Sequence, residues 1–142
     1  MKAVVDASLL AEMLIGSPRG RAAEAMLPSY ETFHLPDLAG PETASVARGW
    51  LRGGLITLER AQQLVGDLPL MRARVWPTAP LLERAWELRD NATIYDAVYV
   101  ALAERLGATL LTGDERLERG LKTSARCEIL LVANPGPPTT SS

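Results

Sequence analysis

The chain has 142 residues, 47% of them hydrophobic and 23% charged, enough for one domain with a substantial core and too apolar for a disordered chain. A formal charge of −2 excludes a globally basic nucleic-acid-binding surface, and the single cysteine, Cys127, excludes an internal disulfide or a cysteine-based zinc cage. Asp6 and Glu12 interrupt the apolar N-terminal stretch and no run is long enough to span a bilayer, so neither a signal peptide nor a membrane span is expected; a cytoplasmic setting fits.

In chain order, KAVV (2–5) is a short apolar run suited to a buried strand, and SLLAEMLIG (8–16) after Asp6 has helical spacing. Pro18 opens a second helix through RGRAAEAML, which Pro28 ends. ETFHLP (31–36) is strand-like. Pro41 then lies where helices favour proline, in the first turn of PETASVARGWLRGG, and Gly53 and Gly54 stop that helix. Leu58, Ala61, Leu64, Val65 and Leu68 keep helical spacing after Thr57. ARVWP (73–77) reads as a further strand, followed by a helix over PLLERAWELRDN.

TIYDAVYVALAERLG (93–107) carries the strongest helical pattern. Thr93 and Asp96 match a capping box, Tyr95, Val98, Tyr99, Leu102 and Leu106 form an apolar stripe, and Gly107 closes it. ATLLT is then a strand, DERLERGL a short helix and CEILLV (127–132) a last strand. Alternation of apolar strands with helices predicts an α/β fold of three layers, a parallel sheet of about five strands covered on both faces. One domain over residues 1–133 is expected, with NPGPPTTSS (134–142) as a flexible tail.

Four carboxylates share one topological position. Asp6 follows the first strand, Asp114 follows ATLLT, and Glu42 and Asp96 lie in the first turns of their helices. In an open parallel sheet these positions gather at one edge, where ligands bind. Each acid also reads as a helix-terminal residue that caps orphan N–H groups, and Thr112 with Glu115 matches a capping box that would make Asp114 a first-turn acid. If the four meet, their mutual repulsion calls for a cation, and a hard divalent ion such as Mg²⁺ or Mn²⁺ suits oxygen ligands. Such an ion supports attack of an activated water on a phosphodiester. Ser8 and Thr112 stand beside two of the acids, as candidate supporting hydroxyls or as helix caps.

VVDASLL, the PE of the mid-chain helix, and above all IYDAVYVALAERLGATLLTGDERL resemble PIN domains, and more narrowly the VapC toxin ribonucleases of type II toxin–antitoxin pairs. The likeness runs in order over nearly the whole chain. It implies a PIN-like α/β/α fold, a magnesium-dependent endoribonuclease, a homodimer, and inhibition by a cognate antitoxin. Carried over to this sequence, the catalytic and metal-binding acids are Asp6, Glu42, Asp96 and Asp114, with Thr112 as the hydroxyl before the last acid. Glu115 and Glu118 fall outside that motif.

With the four site acids set aside, the remaining charge is positive, and arginine far outnumbers lysine. Arg19, Arg21, Arg48 and Arg52 read first as solvated helix charges and second as candidates to line an RNA path. His34, the only histidine, reads as a strand-end surface residue, and Trp50, Trp76 and Trp86 as core or subunit contacts. Two other functions share parts of this pattern. A receiver-like phosphoacceptor domain also gathers acids and a threonine at one sheet edge, but needs a lysine after its last strand, and Lys122 lies in a helical region. A non-catalytic PIN-like RNA-binding module is the other.

Overall fold

A computed structural model describes residues 1–29 and 32–135. Of the expected strand at 31–36, Glu31 lies outside the described residues, as do residues 136–142 of the expected tail. Five strands, β1 (Lys2–Val5), β2 (Thr32–Pro36), β3 (Arg74–Trp76), β4 (Thr109–Thr112) and β5 (Ile129–Leu131), form one parallel sheet in the order β3-β2-β1-β4-β5. Seven α-helices connect them: α1 (Ala7–Ile15), α2 (Pro18–Met26), α3 (Ala39–Arg52), α4 (Leu58–Asp67), α5 (Leu82–Glu87), α6 (Ile94–Leu106) and α7 (Glu115–Leu121). Among the described residues no helix is long and apolar enough to cross a membrane.

The order of the strands fixes the layers. From β1 the chain steps outward to β2 and β3, then returns past β1 to β4 and β5. Right-handed crossovers therefore send α1–α4 to one face and α5–α7 to the other. The packing agrees, with α1 against α2, α3 and α4, and α5 against α6. The reversal of winding leaves a crevice between the C-terminal ends of β1 and β4, where Val5 pairs with Leu111.

The two central strands carry the core because both their faces are covered. Val4, Val5, Leu110 and Leu111 are fully buried, and each contributes about 1.5–3 kcal/mol of hydrophobic stabilisation. The edge strands β3 and β5 are only partly covered. Helix ends follow local chemistry. Asp6, Ser17, Thr57 and Thr93 cap α1, α2, α4 and α6 through side-chain oxygens, and Gly16 and Gly107 end α1 and α6 at φ 75° and 62°.

Three expectations are corrected by tertiary packing. Ala97 to Ala103 of α6 are all buried, so this helix is enclosed rather than striped, and Tyr95 of the expected stripe is 63% exposed. His34 is buried in β2, where its Nδ1 accepts the Trp76 indole N–H at 2.9 Å; the neighbouring strand covers what looked like a surface residue. Of the core or subunit contact expected for Trp86, the core placement is excluded: it is 61% exposed and lies under the Arg89 guanidinium.

Candidate active site

The crevice at β1 and β4 is built from helix starts. Asp6, immediately after β1, is buried. Its Oδ1 accepts the Leu9 N–H at 2.9 Å as the cap of α1, and its Oδ2 accepts the hydroxyl of Thr112 from the end of β4. The same Thr112 oxygen accepts the Asp114 backbone N–H at 3.0 Å. Thr112 is therefore a bridge between two acids, not the cap of the last helix. The Thr112–Glu115 capping box does not form: Asp114 is itself the cap of α7, with Oδ1 accepting from Arg116 N at 2.8 Å and Leu117 N at 3.3 Å. Oδ2 of Asp114 takes no part in the cap. Ser8 is exposed on the first turn of α1 and leaves the capping to Asp6.

The other two acids come from helices on opposite faces of the sheet. Glu42 lies in the first turn of α3, and its Oε1 accepts the hydroxyl of the buried Tyr99 from α6 at 2.8 Å. Asp96 lies in the first turn of α6, one turn before Tyr99.

Electrostatics join the four into one cluster. Burial pushes the Asp6 carboxyl up to about 6, against the pull of its Thr112 and Leu9 hydrogen bonds, and the charges of Asp96 and Asp114 raise it further. Burial also raises Asp96, with the Asp114 charge next, while the Thr93 hydrogen bond and the Arg116 charge pull the other way. Glu42 is raised by burial and by Asp96, and held back by Tyr99. Tyr99 itself is pushed strongly upward by burial and by the charges of Glu42, Asp6 and Asp96, so it stays a neutral donor.

The donor set is all oxygen and carries more negative charge than its surroundings neutralise, which is the chemistry that fits a hard divalent cation. Among the described residues, no three His, Cys, Asp or Glu side chains stand grouped as a ready-made metal cage. Both oxygens of Asp6, one of Glu42 and one of Asp114 accept hydrogen bonds from protein donors.

The arginines divide. Arg19 of α2 bonds Glu12 of α1 at 3.3 Å and packs over Gly113, where a Cβ would meet its Cδ at 2.7 Å, so it borders the turn between Thr112 and Asp114. Arg21, Arg48 and Arg52 are exposed, on α2 and α3. Lys122 follows α7 and stands 3.8 Å from Glu118, away from the end of β5 where a phosphoacceptor domain would need it.

Sequence reasoning missed two residues here. Tyr99 reads as one more apolar position because helical periodicity sees the ring and not the hydroxyl. Arg116 reads as one more surface charge, although it follows Asp114 by two positions, a spacing that places it beside the turn.

Residues 3–120 match the PIN domain family. The chain is 34% identical over 127 residues to Ribonuclease VapC12 of Mycobacterium tuberculosis, which spans 89% of this chain and 98% of that protein. It is 36% identical over 121 residues to Ribonuclease VapC3 of Pyrobaculum aerophilum, across 82% of this chain and 92% of the relative. Among solved structures, PAE2754 from Pyrobaculum aerophilum shares the fold at a TM-score of 0.65 and 22% identity, over 91% of this chain and 83% of that one. A toxin–antitoxin complex from Klebsiella pneumoniae does so at 0.63 and 16% identity, over 90% of this chain and 95% of the other.

Proposed function

Because this chain belongs to the PIN-domain family of VapC ribonucleases, we propose that it is a Mg²⁺-dependent endoribonuclease and the toxin of a type II toxin–antitoxin pair. The observation that supports the reading is the electrostatic coupling that runs from Glu42 to Asp96 and from Asp96 to Asp6 and Asp114 near the switch point of the sheet, with Asp6, Glu42 and Asp96 all raised in proton affinity. Asp6, Asp96 and Asp114, with Glu42, are the residues that would hold Mg²⁺, or Mn²⁺ in its place. When bound, the ion makes water a better nucleophile at neutral pH and neutralises charge on the phosphate oxygens.

The protein's own residues prepare that site. Thr112 fixes Asp6 relative to Asp114 through its two hydrogen bonds. Tyr99 fixes Oε1 of Glu42 and makes no bond to Oε2. Asp114 spends Oδ1 on its helix and keeps Oδ2. Carboxylates held this way need little reorganisation when a cation and a phosphodiester arrive.

The partners follow from charge and family. RNA is the substrate, and a cognate antitoxin inhibits by placing an Arg or Lys among the four acids, where a cation is most favoured. A homodimer in the cytoplasm is the working form. The test is cleavage of RNA by purified protein in Mg²⁺, with a chelator control and the Asp6→Asn and Asp96→Asn variants. Loss of cleavage in both folded variants and in chelator supports the assignment. Undiminished cleavage by either variant contradicts it.

A further inference from the structure

Beside the acids lies a cleft of about 200 Å³ lined by Asn91, Ala92, Thr93, Asp96, Arg116 and Leu117. Two close approaches define its walls. The loop before α6 passes so near α7 that a Cβ on Gly120 would meet the Asn91 carbonyl oxygen at 2.4 Å. The Asn91 side-chain nitrogen donates to Ser124 Oγ at 3.1 Å, which tethers the same loop to the chain after α7. One wall of the cleft is thus set by the backbone approach of Asn91 to Gly120 and tied by the Asn91–Ser124 side-chain bond, while Arg116 lines it from α7.

Thr93 Oγ1 caps α6 and the Asn91 amide nitrogen bonds Ser124, but other polar groups of the cleft keep capacity. The Arg116 guanidinium has no hydrogen bond or ion pair within bonding distance among the described residues, although it faces the field of Asp96 across the cleft. Arg19, Arg60 and Arg84 are engaged with Glu12, the Ile15 carbonyl and Glu104, and what sets Arg116 apart from the exposed Arg21, Arg48 and Arg52 is its place in the cleft beside Asp96. The Asn91 amide uses its nitrogen and leaves its carbonyl oxygen as an acceptor. Asp96 links this cleft to the reacting centre.

Resting on the nuclease reading above, we infer that this cleft is a subsite for one nucleotide of single-stranded RNA beside the scissile bond, with Arg116 taking the phosphate and Asn91 the ribose 2′-hydroxyl. A planar guanidinium offers two parallel donors to a phosphate. An acceptor aimed at a 2′-hydroxyl is how a protein separates RNA from DNA at one position. A carboxylate wall alone would repel the phosphate, so Arg116 is the group that lets the chain approach Asp96. The apolar Ala92 and Leu117 suit the sugar face between them.

The experiment uses full-length Asp6→Asn protein, which keeps the cleft and is expected not to cleave, with a short single-stranded RNA and the DNA of the same sequence. Adding Arg116→Ala should weaken RNA binding roughly tenfold at low salt and reduce the slope of log K against log salt by about 0.7. Adding Asn91→Ala should instead reduce the preference for RNA over DNA. In the cleaving enzyme Arg116→Ala should raise KM. Unchanged affinity and slope in Arg116→Ala, or an unchanged RNA-to-DNA ratio in Asn91→Ala, overturns the inference. So does a loss confined to antitoxin binding. Failure of the nuclease reading would look different: the Asp6→Asn parent itself would not bind RNA and the unsubstituted protein would not cleave it.

Discussion

The Tyr99 hydroxyl donates to Glu42 Oε1 at 2.8 Å, joining the enclosed helix on one face of the sheet to the first turn of a helix on the other. Tyr99 is 1% exposed and feels three of the four acids, so its phenol forms part of the floor of the site. Tyr99→Phe keeps the ring and removes only the donor. RNA cleavage should fall by roughly tenfold to a hundredfold in kcat with KM little changed, because Glu42 loses its orientation while the substrate surface stays intact. An unaltered kcat would make the hydroxyl a packing feature only.

The buried acid at the end of β1 sets a pH signature. Asp6 has a folded-state pKa of about 6 against 3.8 for the unfolded chain, so between those values the folded state binds more protons. Stability from this group is fully present below pH 3.8 and is lost as pH rises through 6; the shift corresponds to about 3 kcal/mol. Asn keeps the cap and removes the titration. Metal-free Asp6→Asn should therefore be more stable than the parent at pH 8, by up to about 3 kcal/mol, with the difference fading toward pH 4. Urea unfolding of both proteins across pH in chelator measures this, and a gap independent of pH would contradict it.

Close packing of the first two helices depends on Gly20. A Cβ there would lie 2.1 Å from the Glu12 carbonyl oxygen, which is backbone and has nowhere to go. Gly20→Ala should separate α1 from α2 and cost about 1–3 kcal/mol of unfolding free energy. The Arg19–Glu12 pair would be disturbed with it. A stability within 0.5 kcal/mol of the parent, read by denaturant titration, would show that the helices can part cheaply.

Far from the acids, Glu104 of α6 is a structural hub. Its carboxylate accepts Arg84 Nε at 2.8 Å, Arg84 Nη2 at 3.1 Å and the Arg126 N–H at 2.7 Å, while Arg84 also reaches the Ser124 carbonyl at 3.0 Å. The two side chains are 21% and 10% exposed, so the pair is largely desolvated. Glu104→Ala leaves Arg84 Nε and the Arg126 N–H without their acceptor, while Glu87 and the Ser124 carbonyl still hold the rest of the guanidinium, and should lower stability by about 1–3 kcal/mol. Cleavage per folded molecule should be unchanged, measured well below the shifted Tm.

Much of this was legible in local patterns. VVDAS, the PE turn, YDAVYVALAE and LLTGDERL place strands, helices and all four acids, because caps and apolar runs are written in consecutive residues. What escaped was set by residues far apart in sequence. Trp76 covers His34 from the next strand, 42 positions away, and no local pattern announces that bond. Thr112 reaches Asp6 across 106 positions, which turned an apparent capping box into a bridge between two acids. Enclosure of α6 likewise depends on both the sheet and α5, so its polar Tyr99 was hidden among residues that look alike to periodicity.

Asp114 caps α7 with Oδ1, while its Oδ2 takes no part in the cap and its charge acts on Asp6 and Asp96. Asn at this position keeps an oxygen for the Arg116 and Leu117 N–H groups and removes the charge. Cleavage of RNA in Mg²⁺ by purified, folded Asp114→Asn protein is the most direct measurement. A loss of roughly a hundredfold or more at unchanged Tm is expected. Cleavage equal to the parent's would mean that Asp114 is a helix cap and nothing more, and that the reaction does not use this cluster.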